Sequence, residues 1–210
     1  MIIDIGAWVL HTACAQARAW QDAGHAPLIM SVNVSALQFR SANLAATVAR
    51  ALDAAGLAPR CLELELTESM VMHDVDKAIA TMRELQGMGV RLSIDDFGTG
   101  YSSLSALKRF PVRRLKVDRS FVRDIETDED DKTITRAVIA LAHSLNLEVV
   151  AEGVETQGQL DYLRELKCDD VQGYLLGKPV AAEEIPVFLT RARAAANDAG
   201  TVLVALDTAA

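Results

Sequence analysis

The hydrophobic pattern alternates along the chain between short apolar runs and longer segments with apolar residues at helical spacing. The short runs predict strands, and the longer segments predict amphipathic helices. The predicted helices cover residues 2–22, 37–55, 75–87, 102–110, 133–145 and 159–166, with one more near the end. The predicted strands cover residues 28–35, 61–69, 90–97, 113–120, 147–154 and 169–176. Because each strand is followed by a helix, the order predicts an α/β protein with a parallel sheet.

The apolar residues of each of the first five predicted strands share one parity, and the polar residues share the other. Val32 and Val34, for example, flank Asn33. Successive strand residues face opposite sides of a sheet, so one face is apolar and the other carries carboxylates, an amide and an amine. An open α/β sheet buries both faces and would not tolerate this lining, whereas a barrel tolerates it near the C-terminal mouth. The pattern therefore favours a TIM-like (β/α) barrel.

Two other architectures fit part of the pattern. An antiparallel sheet with one wet face also alternates cleanly, but the helix-length connections between the strands argue against it. A doubly wound sheet shares the alternation of strands and helices, but the sequence has neither a GxGxxG nor a GxxxxGK[ST] phosphate loop.

The predicted strand ends share a set of oxygen-rich side chains with a single cation among them. The set consists of Asn33, Glu65, Asp95, Asp96, Lys116, Asp118, Glu152 and Gln172. Oxygen ligands suit Mg²⁺ or Mn²⁺, and adjacent carboxylates can bridge two ions. Two metals would stabilise the attacking and leaving oxygens of a phosphodiester displacement. Each carboxylate taken singly is more simply a solvated surface charge, so the hypothesis depends on the shared parity and shared strand end.

Lys116 has two interpretations. A lysine among carboxylates and metals orients an attacking water, whereas a lysine on a barrel strand also serves as a Schiff-base nucleophile in aldolases. The abundance of carboxylates favours the first interpretation. An aldolase would instead be trapped by borohydride with a carbonyl substrate.

Two polar segments lie between the predicted elements. Residues 124–132, DIETDEDDK, precede a helix, where acidic residues favour the helix dipole, so a solvated loop and cap is expected. Residues 95–104, DDFGTGYSSL, are rich in glycine and small residues, which suits either a loop that closes on the site or an ordinary turn.

Composition narrows the class of protein. The 210 residues and 50% hydrophobic content allow one domain, expected over residues 1–194 with a C-terminal tail over 195–210. The net charge of −8 argues against a nucleic-acid polymer as partner. The three cysteines and four histidines show no zinc-site spacing, which indicates a reducing, cytoplasmic compartment. The apolar start lacks a basic region and continues at helical spacing, so we expect an amphipathic helix rather than a signal peptide, and no membrane segment.

Six ordered motifs resemble those of the EAL domain family. They read VNVSALQF, ELELTES, IDDFGTGYSSL, LKVDRSFV, VVAEGVET and QGYLLGKP. The resemblance implies a (β/α)₈ barrel that hydrolyses cyclic di-GMP to the linear dinucleotide pGpG with two Mg²⁺ or Mn²⁺ ions, in bacterial second-messenger signalling.

The resemblance also assigns roles to individual residues. It implies that Lys116 positions the nucleophilic water, that Glu68 anchors the DDFGTG loop and that Gln172 supports the metal–water network. It implies metal ligands at Asn33, Glu65, Asp95, Asp96 and Glu152. It places Gln38, Asp118 and Glu155 near the phosphates or guanine bases.

The sequence departs from the family pattern at its start. Family members carry an E-A-L-x-R strand, with a metal-binding glutamate and a phosphate-contacting arginine, before the segment that begins here with MIIDIGAWVL. The expected barrel is therefore incomplete at the N-terminus and has an open seam. A non-catalytic module that binds cyclic di-GMP is the alternative to a hydrolase. The resemblance further suggests a homodimer and upstream sensor or GGDEF domains.

Overall fold

The computed structural model describes residues 1–100 and 103–196. Tyr101 and Ser102 of the predicted glycine-rich loop, and the predicted tail beyond Ala196, lie outside the described residues. The strands are β1 (Met30–Asn33), β2 (Leu62–Thr67), β3 (Arg91–Phe97), β4 (Arg114–Val117), β5 (Glu148–Ala151) and β6 (Asp170–Val171). The helices are α1 (Ile2–Asp22), α2 (Ala36–Phe39), α3 (Leu44–Ala55), α4 (Glu68–Met72), α5 (Val75–Gly87), α6 (Leu104–Leu107), α7 (Arg119–Arg123), α8 (Glu129–Ser144), α9 (Gln157–Glu165) and α10 (Ile185–Ala196).

The strands follow one another in the sheet in chain order, from β1 to β6. The β1–β2, β4–β5 and β5–β6 pairs are parallel, with Asn33 opposite Glu65 and Lys116 opposite Val150. Helices connect the strands, as parallel neighbours require. The predicted parallel α/β architecture is therefore confirmed, and the antiparallel alternative is wrong for these strands. No helix in the described ranges combines the length and apolar character needed to cross a bilayer.

Contacts divide the chain into two compact units, and β3 contributes residues to both. The first unit comprises Met1–Ile94 and Gly100–Arg113. Its α1 buries Leu10, Cys14 and Ala17 at helical spacing and packs against α3 and β1. The alternating apolar residues of β1 and β2 are buried as well, which gives this unit a core between sheet and helices.

The second unit comprises Asp95–Thr99 and the chain from Arg114 onward. Arg114 begins β4, and its guanidinium lies 2.9 Å from Glu148 Oε2 at the start of β5 and 2.8 Å from Asp170 Oδ2 at the start of β6. One arginine thus ties three parallel strands together at their N-terminal ends. The opposite, C-terminal ends carry the predicted site residues of this unit.

Several element boundaries differ from the predictions. The helix predicted over 37–55 is divided into α2 and α3, because Ser41 Oγ accepts a hydrogen bond from the Asn43 backbone and such local bonds compete with helix. The short helices α4 and α7 were not predicted. The helix predicted from residue 133 begins at Glu129, since Asp128 caps it by accepting from the backbones of Asp130 and Asp131. The predicted loop and cap at 124–132 is therefore correct only in its first half.

Candidate active site

The second unit contains a buried lysine. Lys116 lies on the polar parity of β4 and is 5% exposed. Its Nζ lies 3.1 Å from Asp95 Oδ1 and 2.5 Å from Glu152 Oε1. Asp95 comes from β3 and Glu152 directly follows β5, so three consecutive strands contribute to one ionic contact. Burial strengthens such charge pairing because little water screens it.

The carboxylates around this lysine form a group that could hold a divalent cation. One ligand oxygen from each of Asp95, Asp96 and Glu152 lies within 4.8 Å of the others. Asp95 is 8% exposed, and its Oδ1 accepts no hydrogen bond among the described residues, although it lies 3.1 Å from Lys116 Nζ. A buried carboxylate oxygen among other hard oxygen donors fits a divalent cation.

Electrostatic crowding is visible in the Asp96 and Asp118 carboxyl groups. Burial raises the pKa of Asp96, and the charges of Asp95 and Asp118 raise it further against the opposing effect of Lys116. Burial would also raise the pKa of Asp118, but hydrogen bonds from the side chain and backbone of Ser120, with smaller effects of Arg119 and Asp96, lower it overall. The pKa values of two neighbouring carboxyl groups are thus shifted in opposite directions. Bound positive charge would relieve this crowding.

Asp96 has an unusual backbone conformation, with φ of 55° in the left-handed region. Aspartate tolerates this region better than most residues, but the conformation still costs free energy and persists only where neighbouring contacts enforce it. Thr99 provides such contacts, because its backbone and its Oγ1 both donate to the Asp96 carbonyl, the latter at 2.9 Å. The turn gives the adjacent carboxylates of Asp95 and Asp96 directions that differ from those of a regular strand.

The first unit brings together two of the predicted metal ligands. Asn33 and Glu65 are register partners on β1 and β2, and the Val34 backbone donates to the Glu65 carbonyl at 3.0 Å. Glu65 is 7% exposed, whereas Asn33 is exposed. Asn33 ends β1 and Glu65 lies opposite it on β2, and both belong to the polar parity of their strands, as the sequence predicted.

Glu68 and Gln38 occupy buried positions in the same unit. A Cβ on Gly100 would lie 3.0 Å from Glu68 Oε1, so the backbone of the glycine-rich segment lies directly on this 1%-exposed carboxylate. Gln38 caps α2, where its Oε1 accepts from the backbone and hydroxyl of Ser35. Its amide also fills the space beside Gly6 of α1. Glu68 is thus well placed for the predicted loop anchor, and the ligand contact predicted for Gln38 stays a prediction.

Glu155 and Gln172 lie on the segments that follow β5 and β6. Gln172 continues the parallel pairing beyond β6, because its backbone N–H donates to Ala151 at 2.8 Å and its carbonyl accepts from Val154 at 3.0 Å. Glu155 is exposed, and its backbone N–H donates to Gln159 Oε1 at 2.7 Å. Both residues belong to the same unit as Lys116.

The sequence interpretation missed the residues that support these segments. Thr156 and Gln159 form a capping box at the start of α9, and Glu126 accepts a hydrogen bond from Thr156 Oγ1 at 2.5 Å. The signal was present, because a Thr followed three residues later by a Gln, ahead of an apolar position, is the sequence signature of a capping box. The partner of Gln159 on α7 has no such local signal.

Comparison with known proteins identifies relatives of this arrangement. The model of the EAL domain family matches residues 1–179. The curated relatives include the bifunctional diguanylate cyclase/cyclic di-GMP phosphodiesterase MucR of Pseudomonas aeruginosa, 50% identical over 185 residues, which are 88% of this chain and 27% of that protein. The cyclic di-GMP phosphodiesterase NbdA of the same organism is 48% identical over 90% of this chain and 24% of that protein. The chain therefore spans about a quarter of the length of these relatives.

Solved structures resemble the chain closely. The structure of the P. aeruginosa MucR phosphodiesterase in complex with cyclic di-GMP matches 88% of this chain and 74% of that chain, with a TM-score of 0.86 and 50% identity. The EAL domain of Mycobacterium smegmatis DcpA matches 89% of this chain and 84% of that chain, with a TM-score of 0.84 and 42% identity. A manganese and cyclic di-GMP complex of Klebsiella pneumoniae BlrP1 matches 86% of this chain and 45% of that chain, with a TM-score of 0.77 and 30% identity. These matches confirm the predicted fold class, an incomplete TIM-like barrel.

Proposed function

The chain belongs to the EAL domain family, and we therefore propose that it hydrolyses cyclic di-GMP to pGpG in a reaction that depends on Mg²⁺ or Mn²⁺. One observation carries the proposal. Lys116 Nζ lies between Asp95 and Glu152, at 3.1 Å and 2.5 Å, inside a group of carboxylates suited to a divalent cation. An ammonium among oxygen ligands suits a hydrolytic reaction at phosphorus.

The metal ligands in this proposal come from several strand ends. Asp95, Asp96 and Glu152 would hold metal through their clustered oxygens, and Asn33 and Glu65 would add ligands as the resemblance implies. A divalent metal would supply Lewis-acid stabilisation of charge on the phosphate oxygens. Three carboxylates and one ammonium leave the cluster with excess negative charge, which favours the binding of a cation.

Lys116 would orient the attacking water. Its ammonium lies in ion-pair contact with two carboxylates, so its position is set before substrate arrives. Attack of water on phosphorus breaks the bond to the 3′ oxygen and leaves a 5′ phosphate, as in pGpG. The segment after β3 would exclude bulk water, with Glu68 as its anchor.

The remaining assignments extend the same proposal. Gln172 would support the water network from the end of β6, and Gln38, Asp118 and Glu155 would lie near the phosphates or guanine bases. The proposal also includes a homodimer in the cytoplasm, working with sensor or GGDEF domains. The bifunctional name of MucR and the quarter-length match support such additional domains.

The test is to incubate the purified chain with cyclic di-GMP and Mg²⁺ or Mn²⁺ and to follow pGpG by chromatography. We expect turnover that ends on chelation of the metal and falls by roughly 10²-fold or more in Glu152→Gln, because a ligand carboxylate is lost. Glu165→Gln is the matched control, since Glu165 is exposed on α9. No pGpG with either metal, from a folded chain that still binds cyclic di-GMP, would refute the proposed hydrolysis.

A further inference from the structure

The short helix α7 supports two segments that carry site carboxylates. A Cβ on Gly98 would lie 2.8 Å from the ring of Phe121, and a Cβ on Gly153 would lie 2.6 Å from Arg119 Cβ. Both glycines have positive φ, and Gly153 directly follows Glu152. The backbones after β3 and β5 therefore contact α7 at distances that leave no room for a side chain.

The Gln159 side chain also connects the segment after β5 to α7. The side chain is 4% exposed, and its Oε1 accepts from the backbone N–H groups of Glu155 at 2.7 Å and Thr156 at 3.0 Å. Its Nε2 donates to the carbonyl of Arg123, the last residue of α7, at 2.9 Å. One buried amide thus uses both its acceptor and its donor to join the segment after β5 to the C-terminal end of α7.

A helix cap alone does not explain this set of bonds. The capping box of α9 needs only the oxygen of Gln159 and the hydroxyl of Thr156, and a glutamate would serve equally well at this position. The donor bond to Arg123 does nothing for α9, because it connects a different helix. Only an amide both accepts and donates here.

We propose that Gln159 is a positioning residue for the carboxylate cluster. It holds the segment that bears Glu152 and Glu155 against α7, while Asp118, which directly follows β4, caps the opposite end of α7. The contact between the segment after β5 and α7 therefore depends on an amide that lies outside the cluster. This inference rests on the proposed function, because the carboxylates concerned are the proposed metal ligands.

The experiment compares Mn²⁺ affinity, measured by isothermal titration calorimetry near neutral pH, in the parent chain and three variants. Gln159→Met removes every side-chain hydrogen bond, whereas Gln159→Glu keeps the two acceptor bonds and loses only the bond to Arg123. Gln157→Glu, on an exposed residue of the same turn, controls for the added charge. We expect Mn²⁺ affinity about tenfold weaker in both Gln159 variants and unchanged in Gln157→Glu, as supporting residues of metal sites commonly show.

Thermal unfolding distinguishes a positioning role of Gln159 from a general effect on the stability of the chain. We expect Gln159→Glu to melt close to the Gln157→Glu control, since the cap of α9 is retained. Unchanged Mn²⁺ affinity in folded Gln159→Glu would overturn the proposal even if Gln159→Met is impaired, because the cap alone would then explain the residue.

A parent chain that binds no Mn²⁺ would refute the proposed metal site, which is a separate outcome. The positioning role is then decided by hydrogen exchange in residues 119–124. We expect faster exchange there in Gln159→Glu than in Gln157→Glu, and equal exchange would overturn the role of Gln159.

Discussion

At the scale of single residues, the candidate site depends on how Lys116 is paired. An ammonium that is 5% exposed would be costly to bury alone, and two carboxylates compensate for its lost hydration. The same pairing holds Asp95 of β3 and Glu152, which follows β5, on either side of β4. The lysine therefore contributes both to the order of the proposed metal ligands and to the proposed orientation of water.

Substitution of Lys116 should affect turnover, whereas substitution of a surface lysine should not. We expect Lys116→Met to lower turnover of cyclic di-GMP by roughly 10²–10³-fold, because a donor fixed at the reacting centre is lost. The measurement is the initial rate of pGpG formation at saturating metal. Lys108→Met, at an exposed lysine, should leave the rate unchanged. Equal rates in the two variants would exclude a role of Lys116 in the reaction.

A second residue-scale prediction concerns the buried thiol of Cys14 on α1. The residue is fully buried, and burial raises the pKa of its thiol from 9.0 to about 11. Above pH 9 the unfolded chain releases this proton while the folded chain keeps it, so the free energy of unfolding decreases as pH rises from 9 to 11. We expect this group alone to contribute a decrease of about 2 kcal/mol.

Urea unfolding of the parent and of Cys14→Ala, at pH 8 and pH 11, measures this contribution. The variant is expected to be less stable at pH 8, because it leaves a small cavity. Its stability should nevertheless fall less with pH than that of the parent. Parallel pH profiles in the two proteins would contradict the prediction.

At the scale of elements, the two ends of the parallel strands have different functions. Arg114 connects the starts of β4, β5 and β6 through Glu148 and Asp170, whose side chains are only partly exposed or nearly buried. The C-terminal ends instead carry the crowded carboxylates, which repel one another. A bridging arginine thus lies at one end of these strands and the proposed chemistry at the other, the end at which parallel β/α barrels place their active sites.

Matched arginine substitutions test this division. We expect Arg114→Met to lower the free energy of unfolding by about 2–4 kcal/mol, because two carboxylates lose their partner in a poorly solvated position. Arg109→Met removes the Arg109–Asp76 pair, whose side chains are 55% and 84% exposed, and should cost less than about 1 kcal/mol. Chemical denaturation of both variants gives the comparison. Equal losses would mean that the Arg114 bridge contributes no more than a surface pair.

At the scale of the whole molecule, the first helix presents apolar side chains to solvent. Ile2, Ile3 and Ile5 are between 43% and 49% exposed, and Trp8 is 66% exposed. Water-exposed apolar groups of this size favour association. They are therefore the natural place to test the homodimer that the family resemblance suggested.

Sedimentation velocity over a range of chain concentrations tests association. We expect a concentration-dependent dimer in the parent chain and at least tenfold weaker association in Trp8→Gln, since a large exposed apolar side chain is removed. Leu37→Gln, at another exposed apolar residue on α2, is the control. A parent chain that remains monomeric at all concentrations would refute the predicted homodimer for this chain.

The sequence by itself determined the alternation of strands and helices, the parallel sheet and the strand positions of the candidate ligands. These features follow from local periodicity, because side chains two apart share a strand face and side chains three or four apart share a helix face. The bounds of α1 and α5 agree with the predicted helices for the same reason. The six motifs then identified the family.

Tertiary structure decided which groups meet. Local pattern contains no information on the contact of Lys116 with Glu152, on the single arginine that joins three strands, or on the bond from Gln159 to Arg123 across 36 positions. Each of these partners is fixed by the packing of separate segments rather than by neighbours in sequence. The left-handed turn at Asp96 has the same origin, since its conformation costs free energy locally and is maintained by surrounding contacts.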